Sequence, residues 1–229
     1  RHWTQNRYAF SRRLWQALYG NGAFVMLVDK HEAKDLFQNE FTNTLLLQKI
    51  NCEFLLDLLK DNDWSMIIKS HALIESLITE LIISKTEEEK IKPLIERLPL
   101  SDEQIGKLKI IKDYELLSKE QISFIKRFSS LRNNLVHNFE NIDFDLKHYV
   151  SSMDKNQKSA WGKAITWFTT DEDHQYWITG SINSPKITLW MSILMLASSV
   201  FLDSEELKIG SKIQTLAKET TDKIIQNAV

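Results

Sequence analysis

The sequence has little of what cross-links or interrupts a protein chain. It contains one cysteine, three prolines and six glycines among 229 residues. The single cysteine, Cys52, excludes an intramolecular disulfide and a cysteine-rich zinc site, and it fits a reducing compartment such as the cytoplasm. Because proline and glycine are the residues that most often end helices, their shortage permits long helices.

Neither the net charge nor the hydropathy of the chain is extreme. The formal net charge is −2, so no global field attracts a polyanion, and any contact with RNA must come from a local patch. The longest apolar run, residues 187–202, includes Thr188 and three serines and is shorter than the roughly 20 residues of a membrane span. We therefore expect a cytoplasmic protein without membrane contact.

Helical periodicity runs through most of the chain, and strand-like alternation is nearly absent. The pattern predicts an all-α protein with an N-terminal helical extension, residues 1–40, and a helical domain, residues 41–229. The helix predicted at residues 64–84 is apolar around most of its circumference, so we expect it at the centre, capped by Asp63. Further helices are predicted at residues 8–19, 25–37, 41–60, 118–137, 154–168 and 184–202, with a last one from Ser204.

Capping boxes, in which a Ser, Thr or Asp precedes a Gln or Glu by three residues, mark further helix starts. They predict helices that begin near Thr86, Asp102, Lys119 and Asp154. Residues 169–183 are predicted to form a surface loop, with a short extended piece at residues 175–179.

The sequence contains no pattern that predicts a metal or a cofactor. A glycine-rich phosphate loop, a nucleophile elbow and a zinc-spaced set of His and Cys are all absent. The acidic run 171–174 ends in a histidine, and a solvated loop is the favoured interpretation over a metal site.

Three side chains at the end of the predicted helix 118–137 suggest a functional site. Arg132, Asn133 and His137 lie within an arc of about 140° on a regular helix. An arginine binds phosphate through two donors at once, and a histidine exchanges a proton near neutral pH, which suits RNA cleavage. Because Arg132 and His137 are not aligned, they converge only if the helix frays or a second subunit completes the site. The alternative is that both only stabilise a helix C-terminus, where positive charge is favourable.

The surroundings of this motif carry a small basic patch. Lys126 and Arg127 precede it, whereas Glu140, Asp143 and Asp145 follow and reverse the sign. Any RNA contact therefore depends on how Lys126 and Arg127 are turned.

On the predicted central helix, His71 and Glu75 form an i, i+4 pair about a quarter turn from the polar stripe. A charged residue in such a place usually has a partner, so we expect Glu75 inside, paired with Arg132 or a neighbouring cation. The alternative is a contact of His71 with Glu75 alone, at the helix boundary.

The pattern Arg132-Asn133-x-x-x-His137 at a helix end resembles the R-x(4–6)-H signature of the HEPN superfamily. These are all-α, usually dimeric domains of prokaryotic toxins, defence systems and RNA-processing enzymes. The order of segments 74–78, 106–111 and 114–118 before the motif also resembles the mannitol-repressor-like family. The resemblance covers about residues 41–145, and residues 186–209 loosely.

The HEPN resemblance implies an HEPN-like helical bundle with additional N- and C-terminal helices, acting as a homodimeric, metal-independent endoribonuclease on RNA. It implies that His137 moves a proton, Arg132 stabilises the phosphoryl oxygens and Asn133 orients His137 or the backbone. In this interpretation His71, Glu75, Lys126 and Arg127 are supporting residues.

If the protein has a toxin or defence role, we expect it to bind a protein antitoxin or a regulatory partner. The alternative function is a non-catalytic helical regulator, for example of transcription, or a partner-binding protein similar to the mannitol-repressor-like family.

Overall fold

The computed structural model describes residues 52–137, 139–170 and 173–227. Within these ranges 80% of the residues are helical and no strand occurs, which confirms the predicted all-α class. The predicted helices 8–19 and 25–37, the extension 1–40 and the first part of the predicted helix 41–60 lie outside the described residues.

Nine α-helices and two 3₁₀ turns follow one another along the described ranges. The 3₁₀ turns are Glu89–Ile91, between the second and third helices, and Phe139–Asp143, between the fifth and sixth. The helices are α1 Cys52–Lys60, α2 Asp63–Thr86, α3 Lys92–Glu96, α4 Lys107–Asp113, α5 Lys119–Val136, α6 Leu146–Ser151, α7 Lys155–Ile165, α8 His174–Asn183 and α9 Pro185–Asn227.

The central helix is α2, as predicted. It packs most extensively against α9 and also contacts α1, α3, α4 and α5. Its buried side chains lie on several sides of the helix, because other helices surround it. They include Met66, Ile67, His71, Ile74, Ile78, Leu81 and Ile82.

The start of α2 differs from the prediction in one residue. The cap is Asn62, whose side chain accepts a hydrogen bond from the backbone N–H of Ser65, and Asp63 is already helical. Asp63 Oδ2 instead accepts the backbone N–H of Leu146 at 2.8 Å, and Oδ1 lies 3.1 Å from Lys186 Nζ. Asp63 therefore ties the first turns of α6 and α9 to α2.

The predicted break at Ser204 is wrong, because α9 continues through it to Asn227. Ser204 lies in the interior of this helix and its side chain is buried in the protein. Two polar side chains of α9, Thr188 and Ser192, face the core and are fully buried. The Ser192 hydroxyl donates to the carbonyl of Thr188 at 2.9 Å. Hydroxyls satisfied within their own helix can be buried at little cost. The apolar run 187–202 is thus part of the core.

As one continuous helix, the segment Pro185–Lys218 is long and apolar enough to cross a membrane, which residues 187–202 alone did not indicate. It is the one helix of this kind among the residues described. Most of its apolar window, 78%, is buried inside the protein. Such burial is typical of a core helix, so the segment is a weak indication of a membrane span.

Two of the four capping boxes do not start a helix. Thr86 lies in the last turn of α2, where its hydroxyl donates to the carbonyl of Ile82 at 3.0 Å. The carboxylate of Asp102 accepts the backbone N–H groups of Ile105 and Gln104 in a turn before α4, and these bonds lower the pKa of Asp102. The starts predicted at Thr86 and Asp102 are therefore wrong, and the short helices of these segments begin later, at Glu89–Ile91 followed by α3 and at α4.

The predicted surface loop 169–183 contains a whole helix, α8. Its Trp177 is buried, with its ring centre 5.0 Å from that of Phe168 at an angle of 72°. Trp161 Nε1 donates to the carbonyl of Ser181 at 3.0 Å and fixes α8 against α7. The extended piece predicted at residues 175–179 is thus helical, because packing outweighs the strand propensity of Tyr and Trp.

Candidate functional site

The motif helix α5 is fixed at both ends. At its start Ser118 and Gln121 form a complete capping box, as predicted. At its end the backbone N–H of His137 donates to the carbonyl of Asn133 at 3.3 Å, and Asn141 Nδ2 donates to the carbonyl of Asn134 at 3.0 Å. These bonds occupy carbonyl groups that a helix end leaves without an internal partner.

The apolar face of α5 packs into the core and so turns its polar face outward. Exposed positions follow at intervals of three and four residues, which is one face of a helix. The core side holds Ile122, Phe124, Ile125, Phe128, Leu131 and Leu135, and the exposed side holds Ser123, Lys126, Ser130, Asn134 and His137.

Arg132 is half-buried, and its guanidinium has few partners. Nη1 donates to Asn133 Oδ1 at 3.1 Å, while the buried Nε has no hydrogen-bond partner. Among the described residues, no carboxylate lies within ion-pair distance of Arg132. A half-buried guanidinium whose partner among the described residues is a neutral amide is suited to an oxyanion ligand.

His137 is exposed at the C-terminal end of α5, where it caps the helix. Five residues separate it from Arg132, which on a regular helix corresponds to an angle of about 140° between the two side chains. No hydrogen bond joins these side chains in the part of the chain that is described. Within one chain, Arg132 and His137 are therefore separate groups.

Four polar side chains from α2, α4 and α5 form a network that includes Ser129, one turn before Arg132. His71 Nε2 lies 3.1 Å from Ser129 Oγ, and His71 Nδ1 lies 3.9 Å from Glu75 Oε2. Glu75 Oε1 in turn accepts a hydrogen bond from Lys107 Nζ at 2.9 Å. Glu75, which was predicted to lie inside, thus forms an ion pair with Lys107, a neighbouring cation. It is not within ion-pair distance of Arg132.

His71 is neutral near physiological pH. Burial lowers its pKa to about 4, aided by the positive charges of Arg132 and Lys107 and opposed by Glu75. The contact between His71 and Glu75 is consequently not an ion pair at neutral pH. With the Glu75 carboxylate beside Nδ1, the favoured tautomer has its proton on Nδ1, and Nε2 then accepts from the hydroxyl of Ser129.

The order Ser129–His71–Glu75 is that of a proton relay to a serine nucleophile. Ser129 is 1% exposed, however, and His71 is 5% exposed. A substrate carbonyl or phosphate cannot reach a hydroxyl at this depth, so the network supports α5 from within.

The two basic residues predicted to support the site differ in their surroundings. Lys126 pairs with Glu103, which also lies 3.0 Å from Lys112. Arg127 is half-buried and forms no ion pair among the described residues. Because Glu103 offsets Lys126, the basic patch is weaker than the sequence indicates.

Two members of the network, Lys107 and Ser129, were not predicted from the sequence. Lys107 is fully buried and shares a helix face with Ile111, four residues on, which is unusual for a lysine. Ser129 follows Ile122 and Ile125 at the spacing of the apolar face of α5. A polar residue in an apolar stripe is the signal that marks both positions.

No metal site was found in the described ranges, where no group of three or more His, Cys, Asp or Glu could hold an ion. In the acidic segment, His174 Nδ1 lies 2.9 Å from Thr169 Oγ1. His174 is also the first residue of α8, so its position is explained by the fold.

Comparison with protein families, with curated proteins and with solved structures found no match for this chain.

Proposed function

We propose that this chain is a metal-independent endoribonuclease of the HEPN type that acts as a homodimer. The observation that carries the proposal is the state of Arg132, which is half-buried, donates to the neutral amide of Asn133 and has no carboxylate partner among the described residues. A guanidinium in this state binds a phosphodiester with little competition from the protein. His137, exposed at the end of the same helix, supplies the proton-transfer group.

In this mechanism the attacking group is the 2′-hydroxyl of the RNA itself. One His137 removes the proton of the 2′-hydroxyl, and the oxygen attacks the adjacent phosphorus. The bond from phosphorus to the 5′-oxygen breaks, and the leaving oxygen takes a proton from the His137 of the partner subunit. Arg132 stabilises the negative charge on the phosphoryl oxygens, and the first product is a 2′,3′-cyclic phosphate.

A second copy of the chain is needed because one helix holds Arg132 and His137 about 140° apart. Two motif helices that meet across a two-fold axis bring the Arg132 of one protomer near the His137 of the other. Most of the run 187–202 is buried in the core, although Ile187 is exposed, so we propose the dimer contact at the motif instead. Val136 and Ile142 flank His137 and are 38% and 58% exposed, which suits a protein contact at the motif.

A second candidate function is a non-catalytic regulator whose motif end binds another protein. The neutralisation of Lys126 by Glu103 favours it, as do the carboxylates of Glu140 and Asp143 directly after the motif, because both weaken attraction for RNA. The exposed Val136 and Ile142 would then contact a partner such as an antitoxin.

The experiment that separates the two functions is an RNA-cleavage assay with a chelator present. Wild-type protein is compared with His137→Ala and with His148→Ala, because His148 is also exposed but lies on α6, outside the motif. The proposal expects cleavage by wild type and by His148→Ala, and a loss of roughly 10²–10⁴ in rate for His137→Ala. Equal cleavage by all three proteins, or none by a wild-type dimer, would favour the regulator.

A further inference from the structure

Arg132 is half-buried and has no counter-ion among the described residues. Half-buried arginines are usually paired with a carboxylate, because an unpaired charge is costly to desolvate. The nearest carboxylate of the network, Glu75, is bound by Lys107 at 2.9 Å. His71, on α2, contacts the motif helix through Ser129, and burial followed by the positive charge of Arg132 lowers the pKa of His71.

His71 is held in place by contacts on three sides. Its Nε2 lies 3.1 Å from Ser129 Oγ on α5, and its Nδ1 lies 3.9 Å from Glu75 on its own helix. Its ring centre is 6.0 Å from that of Phe128. A neutral histidine held in this way does not balance the charge of Arg132.

Ser129 connects the two parts of this arrangement. It lies one turn before Arg132 and Asn133 on α5, and it is fully buried. The contact of Ser129 with His71 therefore fixes the register between α2 and the turn of α5 from which Arg132 projects. The direction of the guanidinium depends on that register.

We propose that His71, held by Ser129, is a positioning residue that keeps Arg132 without an internal counter-ion and so reserves its guanidinium for an external oxyanion of the phosphate class. This rests on the proposed function in that the natural oxyanion would be the phosphodiester of RNA. A carboxylate in place of His71 would pair with Arg132 and compete with the ligand.

The test uses two substitutions of nearly equal shape and different charge, His71→Gln and His71→Glu. The full chain is titrated with inorganic phosphate, with chloride at matched ionic strength as the control, and the Nε–H signals of its arginines are followed by nuclear magnetic resonance. The signal of Arg132 is assigned by its loss in Arg132→Lys. Arg97, which is exposed and outside the site, serves as the internal reference.

We expect the Arg132 signal to shift saturably with phosphate in wild type and in His71→Gln, while the Arg97 signal stays in place. In His71→Glu the affinity should fall about tenfold or more, since the ligand must displace an internal charge-assisted hydrogen bond. Equal affinity in the Gln and Glu variants, or no response of Arg132 in wild type, overturns the inference.

A second measurement needs no substitution and applies even if His71→Glu fails to fold. Phosphate bound at Arg132 offsets the positive charge beside His71, so the pKa of His71 should rise in saturating phosphate and not in chloride. An unchanged pKa would contradict the inference. Phosphate binding without RNA cleavage would refute the proposed function alone, whereas cleavage with equal phosphate affinity in the two variants would refute only the role of His71.

Discussion

Lys107 and Glu75 form an ion pair of unequal burial, with 2.9 Å between Lys107 Nζ and Glu75 Oε1 and with 1% and 33% of the two side chains exposed. Among the described residues, the other acceptor near the ammonium group is the carbonyl of Glu96 at 3.4 Å. The lysine is thus enclosed by protein, while the glutamate still reaches water. The two partners should therefore respond differently to replacement.

Glu75→Ala should destabilise the protein by about 3 kcal/mol or more, because it leaves the Lys107 ammonium buried without a counter-ion. Lys107→Met should change the free energy of unfolding by only about 1 kcal/mol in either direction, since it replaces the ammonium by an apolar group of similar length. Urea unfolding of both variants measures the difference. Equal losses would show that the pair, and not the buried charge, determines stability.

The neutral state of His71 predicts a dependence of stability on pH. The folded state holds the pKa of His71 at about 4, whereas the unfolded chain takes up this proton near 6.5. The contribution of His71 is therefore fully present above pH 6.5 and is lost as the pH falls from 6.5 to about 4. Over this window it amounts to about 3 kcal/mol.

Because carboxylates also titrate toward the acid end of that window, the measurement is the difference between wild type and His71→Gln. Unfolding free energies at several pH values between 4 and 7 give it. We expect the wild type to lose stability faster than His71→Gln as the pH falls. Parallel curves would mean that His71 is protonated equally in the folded and unfolded states.

The fold class could be predicted from the sequence because helical periodicity depends on neighbours within two turns. The same local logic succeeded at Ser118 and Asp154, where both capping boxes form completely. The capping box at Thr86 did not start a helix, because α2 continues through this residue. The Thr86 hydroxyl donates instead to the carbonyl of Ile82, one turn earlier. A capping pattern predicts a helix start only where the preceding helix has already ended.

The candidate site could be predicted only in part, for the same reason. Arg132, Asn133 and His137 are close in sequence, so their pattern is visible there. The contact of His71 with Ser129 spans 58 residues, and that of Lys107 with Glu75 spans 32. Such contacts depend on how α2, α4 and α5 pack, which no local pattern specifies.

Gly106 should tolerate no side chain, in contrast to Gly210. A Cβ atom at Gly106 would lie 2.4 Å from the carbonyl oxygen of Pro99 and 2.6 Å from that of Asp102, in the turn that places Lys107. At Gly210, inside α9, nothing lies within 4 Å of the added atom.

We therefore expect Gly106→Ala to destabilise by about 1–3 kcal/mol, since backbone atoms must move. Gly210→Ala should stabilise by about 0.5–1 kcal/mol, because alanine has the higher helix propensity. Thermal melts of the two variants beside wild type compare them directly. A stabilised Gly106→Ala would show that the turn before α4 adapts to a side chain.

The last prediction concerns the products of the proposed ribonuclease. Because the attacking group is the 2′-hydroxyl of the substrate, cleavage should leave a 2′,3′-cyclic phosphate or its 3′-phosphate product. A single 2′-deoxy nucleotide at the cleaved position should abolish the cut there. Arg132→Lys should also lose most activity, since an ammonium keeps the charge but not the paired donors of a guanidinium. Mass spectrometry of the fragments identifies the termini, and melts of Arg132→Lys test its fold. Fragments with 5′-phosphate ends, or cleavage at the deoxy position, would show that water or another nucleophile attacks and that His137 has a different role.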